Sequence, residues 1–527
     1  MRRTWLGTCV GLLMCVAAQA NVRLPAVLSD NMLLQRDVAT KFWGWADMDE
    51  EVTVTVGDQV LPKVVAEPDG KWLVTLPKFP AGAVPDITVQ GRNKLTVKNI
   101  LAGDVWVCSG QSNMQMSVRD SNDAAQAAAA ANYPKIRLFT MPSVVAAAPQ
   151  EDCKGQWVEC SPATIAHFSA VGYFFGRELH GKLNAPMGLI NTSWGGTVAE
   201  AWTPMPALIN VPEYEAILVR DRQYRETYHS FWLSNYVKNL AKWKEDVAKL
   251  KAEGKPVGHL GRPPGRPTEP DKNPNTAGVL YNGMIHPLLN YAIKGAVWYQ
   301  GESNAGRAVQ YRQLLPTMIA SWRQAWGQGD FPFGIVQLAN FTARLPQPGD
   351  SNWAELREAQ ALTAANTPHV GLACIIDIGD AVDIHPKNKQ DVGKRLALWA
   401  LATVYDQKGV VDSGPTYSKM VVEGPSIRLS FAHLGGGLVV KDGAELKGFA
   451  IAGEDQKFVW ATAKIDGNSV VVTFRAGDET IKPLMIKPVA VRYAWANNPE
   501  CNLYNKEGLP AVPFRTDDWP VSTQNAK

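Results

Sequence analysis

The sequence predicts an α/β protein built on a parallel sheet, with a β-rich module at each end. Three observations carry this. Four apolar runs are separated by segments of helical pattern: Asp104-Val105-Trp106-Val107-Cys108, Met187-Gly188-Leu189-Ile190-Asn191, Gly295-Ala296-Val297-Trp298-Tyr299 and residues 370–376. Strands buried on both faces of a parallel sheet read this way. Each run leads directly into polar or glycine residues, and ligands of such sheets sit beyond the carboxyl ends of the strands. On either side the pattern changes to short alternating strands broken by turns.

The elements follow in order. Residues 1–20 have the layout of a secretory signal peptide: Arg2 and Arg3, an apolar stretch at 6–16, and Ala18-Gln19-Ala20 ahead of Asn21. The apolar stretch is too short to span a membrane. Met14 stands before Cys15, where a lipoprotein signal wants a small residue, and no later stretch of about 18 apolar residues appears. An exported protein, periplasmic or extracellular and without a membrane anchor, is expected. Residues 21–100 read as a β-sandwich-like module, with alternation at 51–56 and again at 71–76 after the turn Pro68-Asp69-Gly70. Residues 101–405 hold the α/β domain, with an Ala-rich helical stretch at 123–131. An insertion at about 206–275 is helical over 212–253 and then Pro/Gly/Arg-rich over 254–274. A loop of that length is functional or mobile. From 406 to 527 alternating segments such as 469–474 and 489–495 return as a C-terminal β-rich module.

A net charge of +3 over 527 residues gives no electrostatic case for nucleic acid or a charged membrane surface. Of the seven cysteines, Cys9 and Cys15 fall in the signal segment, leaving Cys108, Cys153, Cys160, Cys374 and Cys501. Only Cys153 and Cys160 are near in sequence, and an oxidising compartment would allow a disulfide between them. No Cys/His pattern has zinc spacing. Of the eighteen tryptophans, any exposed ones would suit stacking on sugar rings.

The polar residues at the strand ends point to nucleophilic chemistry. A serine acts as a nucleophile near neutral pH only with a base in hydrogen-bond reach and donors for the oxyanion. Ser112 stands at a strand-to-helix turn, where its own N–H sits at a helix N-terminus. Taken alone, such a serine is more often a helix cap. The second strand end offers Gly195-Gly196, where glycine lets the backbone approach a ligand. The third offers Gln300, Gly301, Glu302 and Asn304. Glu302 could orient its loop or the histidine, or meet substrate. Among the eight histidines, His385 lies just past the last strand, two residues after Asp383 and five after Asp380, the company a catalytic imidazole needs. His286 is the competitor, better placed as a substrate-site residue.

The order Ser, Gly, Asn, His, each at a strand end, resembles the SGNH hydrolase superfamily, whose α/β domain is flavodoxin-like and three-layered. The match is closer to its sialate O-acetylesterase family. Residues 28–36 (LSDNMLLQR), 103–114 (GDVWVCSGQSNM), 191–197 (NTSWGGT), 298–304 (WYQGESN) and 383–389 (DIHPKNK) resemble that family's blocks. The resemblance implies Ser112 as nucleophile and His385 as base, with Gly196, Asn304 and the Ser112 N–H as the oxyanion hole. Two departures stand out. The usual fifth block places Asp three residues before His, where this chain has Val382, so the carboxylate is Asp383, with Asp380 open. The third block is Gln-Gly-Glu-Ser-Asn rather than Gly-x-Asn-Asp, so Gln300 could replace Asn304 as donor.

The function so implied is hydrolysis of acetyl esters on sugars through an acyl-enzyme, without metal or other cofactor. Its substrate is an acetylated carbohydrate, either a hemicellulose oligosaccharide such as xyloglucan or O-acetylated sialic acid. No dense Arg cluster near the motifs meets a sialate carboxylate, and the β modules and tryptophans favour the oligosaccharide. The alternatives are a non-catalytic carbohydrate-binding protein on the same scaffold and a lipase- or thioesterase-type esterase.

Overall fold

Eleven consecutive residues, Ile100–Gly110, form one strand, β1, that runs out of the N-terminal module and through the centre of the molecule. The computed structural model describes residues 21–443, 445–475 and 487–526; the expected signal peptide lies outside them. The other strands of the central sheet are β2 (Tyr133–Thr140), β3 (Trp157–Cys160), β4 (Met187–Ser193), β5 (Gly295–Tyr299), β6 (Phe333–Val336) and β7 (Val370–Ala373). Their order is β3-β2-β4-β1-β5-β6-β7. All neighbours are parallel except β3, which is antiparallel to β2. The chain builds one side of β1 first and then crosses to the other, so the ends of β4, β1 and β5 form a switch point, where open α/β sheets bind ligands.

The start of β1 explains the motif at 28–36. Leu33–Gln35 pairs in parallel with Leu101–Gly103, and Gly82–Val84 pairs antiparallel on the other edge. Gln35 accepts the Val105 N–H at 2.9 Å, and Arg36 grips buried Asp104 at 3.0 and 2.8 Å. Alternation along β1 then divides the core. Val105 and Val107 face a core that includes Phe42 and Trp72 of the N-terminal module, Leu314 and Trp322 of helix Ala308–Trp326, and Leu356 of helix Asn352–Asn366. Trp106 and Cys108 face Phe174 of helix Ala170–Leu183 and Leu396 of helix Lys389–Trp399. The N-terminal module therefore shares its core with the sheet, whereas the C-terminal strands build a third core from Ile427, Leu429, Val470 and Val472, closed by Cys374 and Ile376.

The insertion forms helix α1 (Glu215–Thr227), a π-helical stretch at Tyr228–Leu233 and helix α2 (Ser234–Ala252). Among the described residues no helix is long and apolar enough to cross a membrane. The disulfide expectation is corrected: Cys153 and Cys160 are both free thiols. Cys153 packs against the first core and Cys160 within the second, so the two sulfurs serve different cores and do not meet.

Candidate active site

The end of β1 delivers Ser112. Gly110 closes the strand, the Gln111 N–H donates to Tyr299 O at 2.9 Å, and a one-turn helix, Ser112–Gln115, begins. Its first N–H has no intrahelical acceptor. Gly195, at the end of β4, packs against this turn: a Cβ there would lie 3.1 Å from Ser112 Cβ. The Gly195 N–H is taken by Gln115 Oε1 at 2.8 Å. Gly196 follows with φ +74° and open space beside it, a left-handed conformation that favours glycine. Its N–H has no acceptor among the described residues.

The imidazole arrives from the far side of the sheet, on the loop after β7. His385 Nε2 lies 2.9 Å from Ser112 Oγ, the contact that activation of a hydroxyl by a general base requires. The loop's own carboxylates bend it into place. Asp380 Oδ1 accepts the N–H groups of Val382 at 2.8 Å and Asp383 at 3.3 Å. Asp383 Oδ1 accepts the His385 N–H at 2.8 Å and lies 3.4 Å from its Nδ1. Asp383 is thus the carboxylate beside the ring, and Asp380 shapes the turn. Val382, the position the usual motif gives to aspartate, is 91% exposed.

Behind this pair is a buried network that the motif reading did not assign. Asn113 Nδ2 donates to Glu302 Oε1 at 2.6 Å and to Ile384 O at 3.0 Å, while its Oδ1 accepts from Lys389 Nζ at 2.5 Å. Asn113 therefore fastens the residue before His385 to the residue after Ser112. Burial pushes the Glu302 carboxyl up from its ordinary value, with the Asn113 bond and nearby Lys389 opposing. Burial pushes the Lys389 ammonium down to about 7, against the pull of Glu302 and Asp383. The ammonium also lies 5.1 Å over the Tyr299 ring.

The third block is divided by its hydrogen bonds. Gln300 is fully buried. Its Nε2 donates to Thr197 O at 3.1 Å and Asn304 Oδ1 at 2.7 Å, and its Oε1 accepts from Tyr311 at 2.9 Å. Both amide protons are committed, which removes Gln300 as an oxyanion donor. Asn304 Oδ1 also accepts the Ala199 N–H at 2.9 Å, and its Nδ2 donates to Glu200 Oε2 at 2.8 Å. One Asn304 amide proton is left, beside the loop that carries Gly196.

Two further expectations are corrected. Glu302 faces Asn113, inside the network, rather than substrate. His286 bonds through Nδ1 to Gln150 O at 2.8 Å and borders a cavity lined by Trp43, Trp45, Trp72 and Glu151. It faces the N-terminal module because it follows the Tyr281–Ile285 turn back toward that side of the protein. Glu200 is a residue the sequence reading missed. It accepts from Arg220 at 3.2 Å and Arg307 at 3.0 Å through Oε1. These two arginines are 87 positions apart in the chain, so no local pattern marks them as a pair.

Comparison with known proteins agrees with this architecture. The family described as carbohydrate esterase, sialic acid-specific acetylesterase, matches residues 102–231 and 272–402. The sialate O-acetylesterase of Rattus norvegicus is 30% identical over 93% of this chain and 94% of its own. That of Homo sapiens is 29% identical over 99% of this chain and 98% of its own. A crystal structure of a carbohydrate acetylesterase from Xanthomonas citri superposes with a TM-score of 0.78 at 36% identity, covering 94% of this chain and all of that one. The chain belongs to the sialate O-acetylesterase family of carbohydrate esterases.

Proposed function

We propose that this esterase is an exported enzyme that removes acetyl groups from a neutral oligosaccharide of the hemicellulose type by a serine mechanism on a three-layer SGNH scaffold. The observation that carries the mechanism is the 2.9 Å contact between His385 Nε2 and Ser112 Oγ. His385 takes the hydroxyl proton as Ser112 Oγ attacks the acetyl carbonyl carbon. The carbonyl oxygen gains negative charge and is met by the N–H groups of Ser112 and Gly196 and the remaining Asn304 amide proton. The tetrahedral intermediate collapses, the bond to the sugar oxygen breaks, and His385 returns the proton to that oxygen. Water, deprotonated by the same imidazole, then attacks the acetyl-serine; the bond from the acyl carbon to Ser112 Oγ breaks, His385 returns the proton to Oγ, and acetate leaves. Asp383, bonded to the His385 backbone N–H and 3.4 Å from Nδ1, offsets the ring's transient charge.

The preference for a neutral oligosaccharide rests on the surroundings of the site and on relatives that differ in substrate class. The mammalian relatives are named for sialate, the bacterial one for carbohydrate generally. Acetate release from acetylated xyloglucan oligosaccharides and from O-acetylated sialoglycan, measured side by side, tests the preference; faster release from the sialoglycan overturns it. For the mechanism, Ser112→Ala is expected to cut acetate release by several orders of magnitude with the fold intact by circular dichroism. Activity within tenfold of the parent would reject Ser112 as nucleophile.

A further inference from the structure

The insertion between β4 and β5 builds a second feature beside the site. A groove of about 740 Å³ opens next to the Gly196 loop, with Val198, Glu200 and Arg307 on the sheet side and Tyr224, Phe231 and Trp232 on the insertion side. Glu200 links its lining to the oxyanion region, because the carboxylate that accepts from Asn304 also accepts from Arg220 and Arg307. Val198, two residues after Gly196, is held through its N–H by Asn275 Oδ1 at 3.0 Å.

The aromatic wall is built rather than incidental. Tyr224, Tyr228 and Trp232 recur at every fourth position through α1 and the π-helical stretch, with ring centroids 6.1 Å apart for Tyr224–Tyr228 and 5.7 Å for Tyr224–Trp232. Phe231 adds an edge contact to Trp232 at 5.4 Å. The Pro/Gly/Arg-rich loop braces this wall from behind: Tyr224 Oη donates to Thr268 O at 2.6 Å and Tyr228 Oη to Pro267 O at 3.2 Å. Phe231 is nevertheless 54% exposed and Trp232 44% exposed. Aromatic rings exposed to water beside polar groups are a stacking surface for the C–H faces of sugars.

Charge selects among sugars. Arg220 and Arg307 share the groove with Glu200 and Asp221, two cations against two anions. Both guanidiniums are already bonded to the same Glu200 oxygen. A sialate carboxylate would meet the Glu200 and Asp221 carboxylates in this groove, whereas hydroxyl groups can both donate to them and accept from Arg220 and Arg307, whose Nη1 and Nε, respectively, have no partner among the described residues. Trp232 and the bracing loop lie between the two matched segments of the family, 102–231 and 272–402.

We propose that this groove is a binding subsite for the neutral sugar chain that carries the acetyl group, resting on the esterase reading above, with Trp232 and Phe231 stacking on the rings and Arg220, Asn273 and Asn275 meeting hydroxyls. Deacetylated chains hold no ester, so binding is read on the wild-type protein by calorimetry with xylohexaose, cellohexaose and, as the acidic probe, sialyllactose. At least one neutral hexaose is expected to bind, sialyllactose not to bind, and Trp232→Ala to weaken the neutral ligand about tenfold, with Trp232→Tyr restoring most of it. The ratio of kcat/KM on acetylated xylo-oligosaccharide to kcat/KM on 4-nitrophenyl acetate is expected to fall by a similar factor in Trp232→Ala. Binding of neither hexaose, a Trp232→Ala protein that binds like the parent, or tighter binding of sialyllactose each overturns the proposal. Failure of the Ser112 assignment would leave the binding results unchanged, so the two readings fail separately.

Discussion

Replacing Asn113 by alanine probes the hidden half of the site. Its buried amide joins three partners: the partly buried Glu302 carboxylate and Ile384 carbonyl and the buried Lys389 ammonium. A buried group left without its bond costs about 1–3 kcal/mol. Three such groups would sum to about 3–9 kcal/mol; because the bonds to Glu302 and Ile384 are only partly buried, the expected loss is at the low end, about 3 kcal/mol in urea unfolding. The effect on rate has a different origin. Ile384 O is the anchor immediately before His385, and without it the imidazole is free to drift from Ser112. A misplacement of roughly 1 Å costs on the order of a hundredfold in rate. With 4-nitrophenyl acetate, assayed at a temperature where the variant is folded, kcat should fall about a hundredfold with KM little changed. A variant that is destabilised yet keeps kcat within twofold of the parent would refute the reasoning, because it would show that His385 is held without Asn113.

Two other perturbations separate neighbouring roles. Asp383→Asn should lower kcat by about 10- to 100-fold, less than for a fully buried partner because Asp383 is 47% exposed and 3.4 Å from the ring; Asp380→Ala, tested beside it, should act mainly on thermal stability. Lys389 gives a stability signature with pH. Its pKa is near 10.5 when unfolded and about 7 when folded, so between those values the unfolded chain holds the extra proton and stability rises with pH. Lys389→Met should flatten that rise in urea midpoints measured from pH 7 to 10; an unchanged slope would show that Lys389 is not the group responsible.

How much of this was legible in the sequence depends on whether a residue works locally. The runs around Val105, Leu189 and Val297 are buried on both faces, so their apolar character shows without a partner, and the polar residues that end them must lie at one edge of the sheet. Ser112, Gly196 and His385 could be found that way. The carboxylate could not: Asp383 and Asp380 differ only in how the turn closes, which depends on which one caps the N–H groups of Val382 and Asp383. Gln300 and Asn304 are both amides after β5, and only their bonds to Thr197, Tyr311 and Glu200 separate them. His286 is the histidine that competes with His385 in the sequence, yet the chain carries it toward Trp43 and Trp72. Pairs such as Arg220 with Arg307, or Cys153 with Cys160, are decided by topology, and spacing along the chain predicts neither the meeting of the first nor the separation of the second.

The long strand β1 has a consequence for anyone who would rebuild this enzyme. One end of it is zipped to Leu33–Gln35 and the other presents Ser112, with no hinge between. The N-terminal module is therefore not an accessory that could be exchanged like a tool on a handle. Side chains alternate along a strand, so a slip of one residue at Leu101 would turn every following residue to the opposite face. Any replacement module grafted ahead of residue 100 would inherit the task of setting the serine's register.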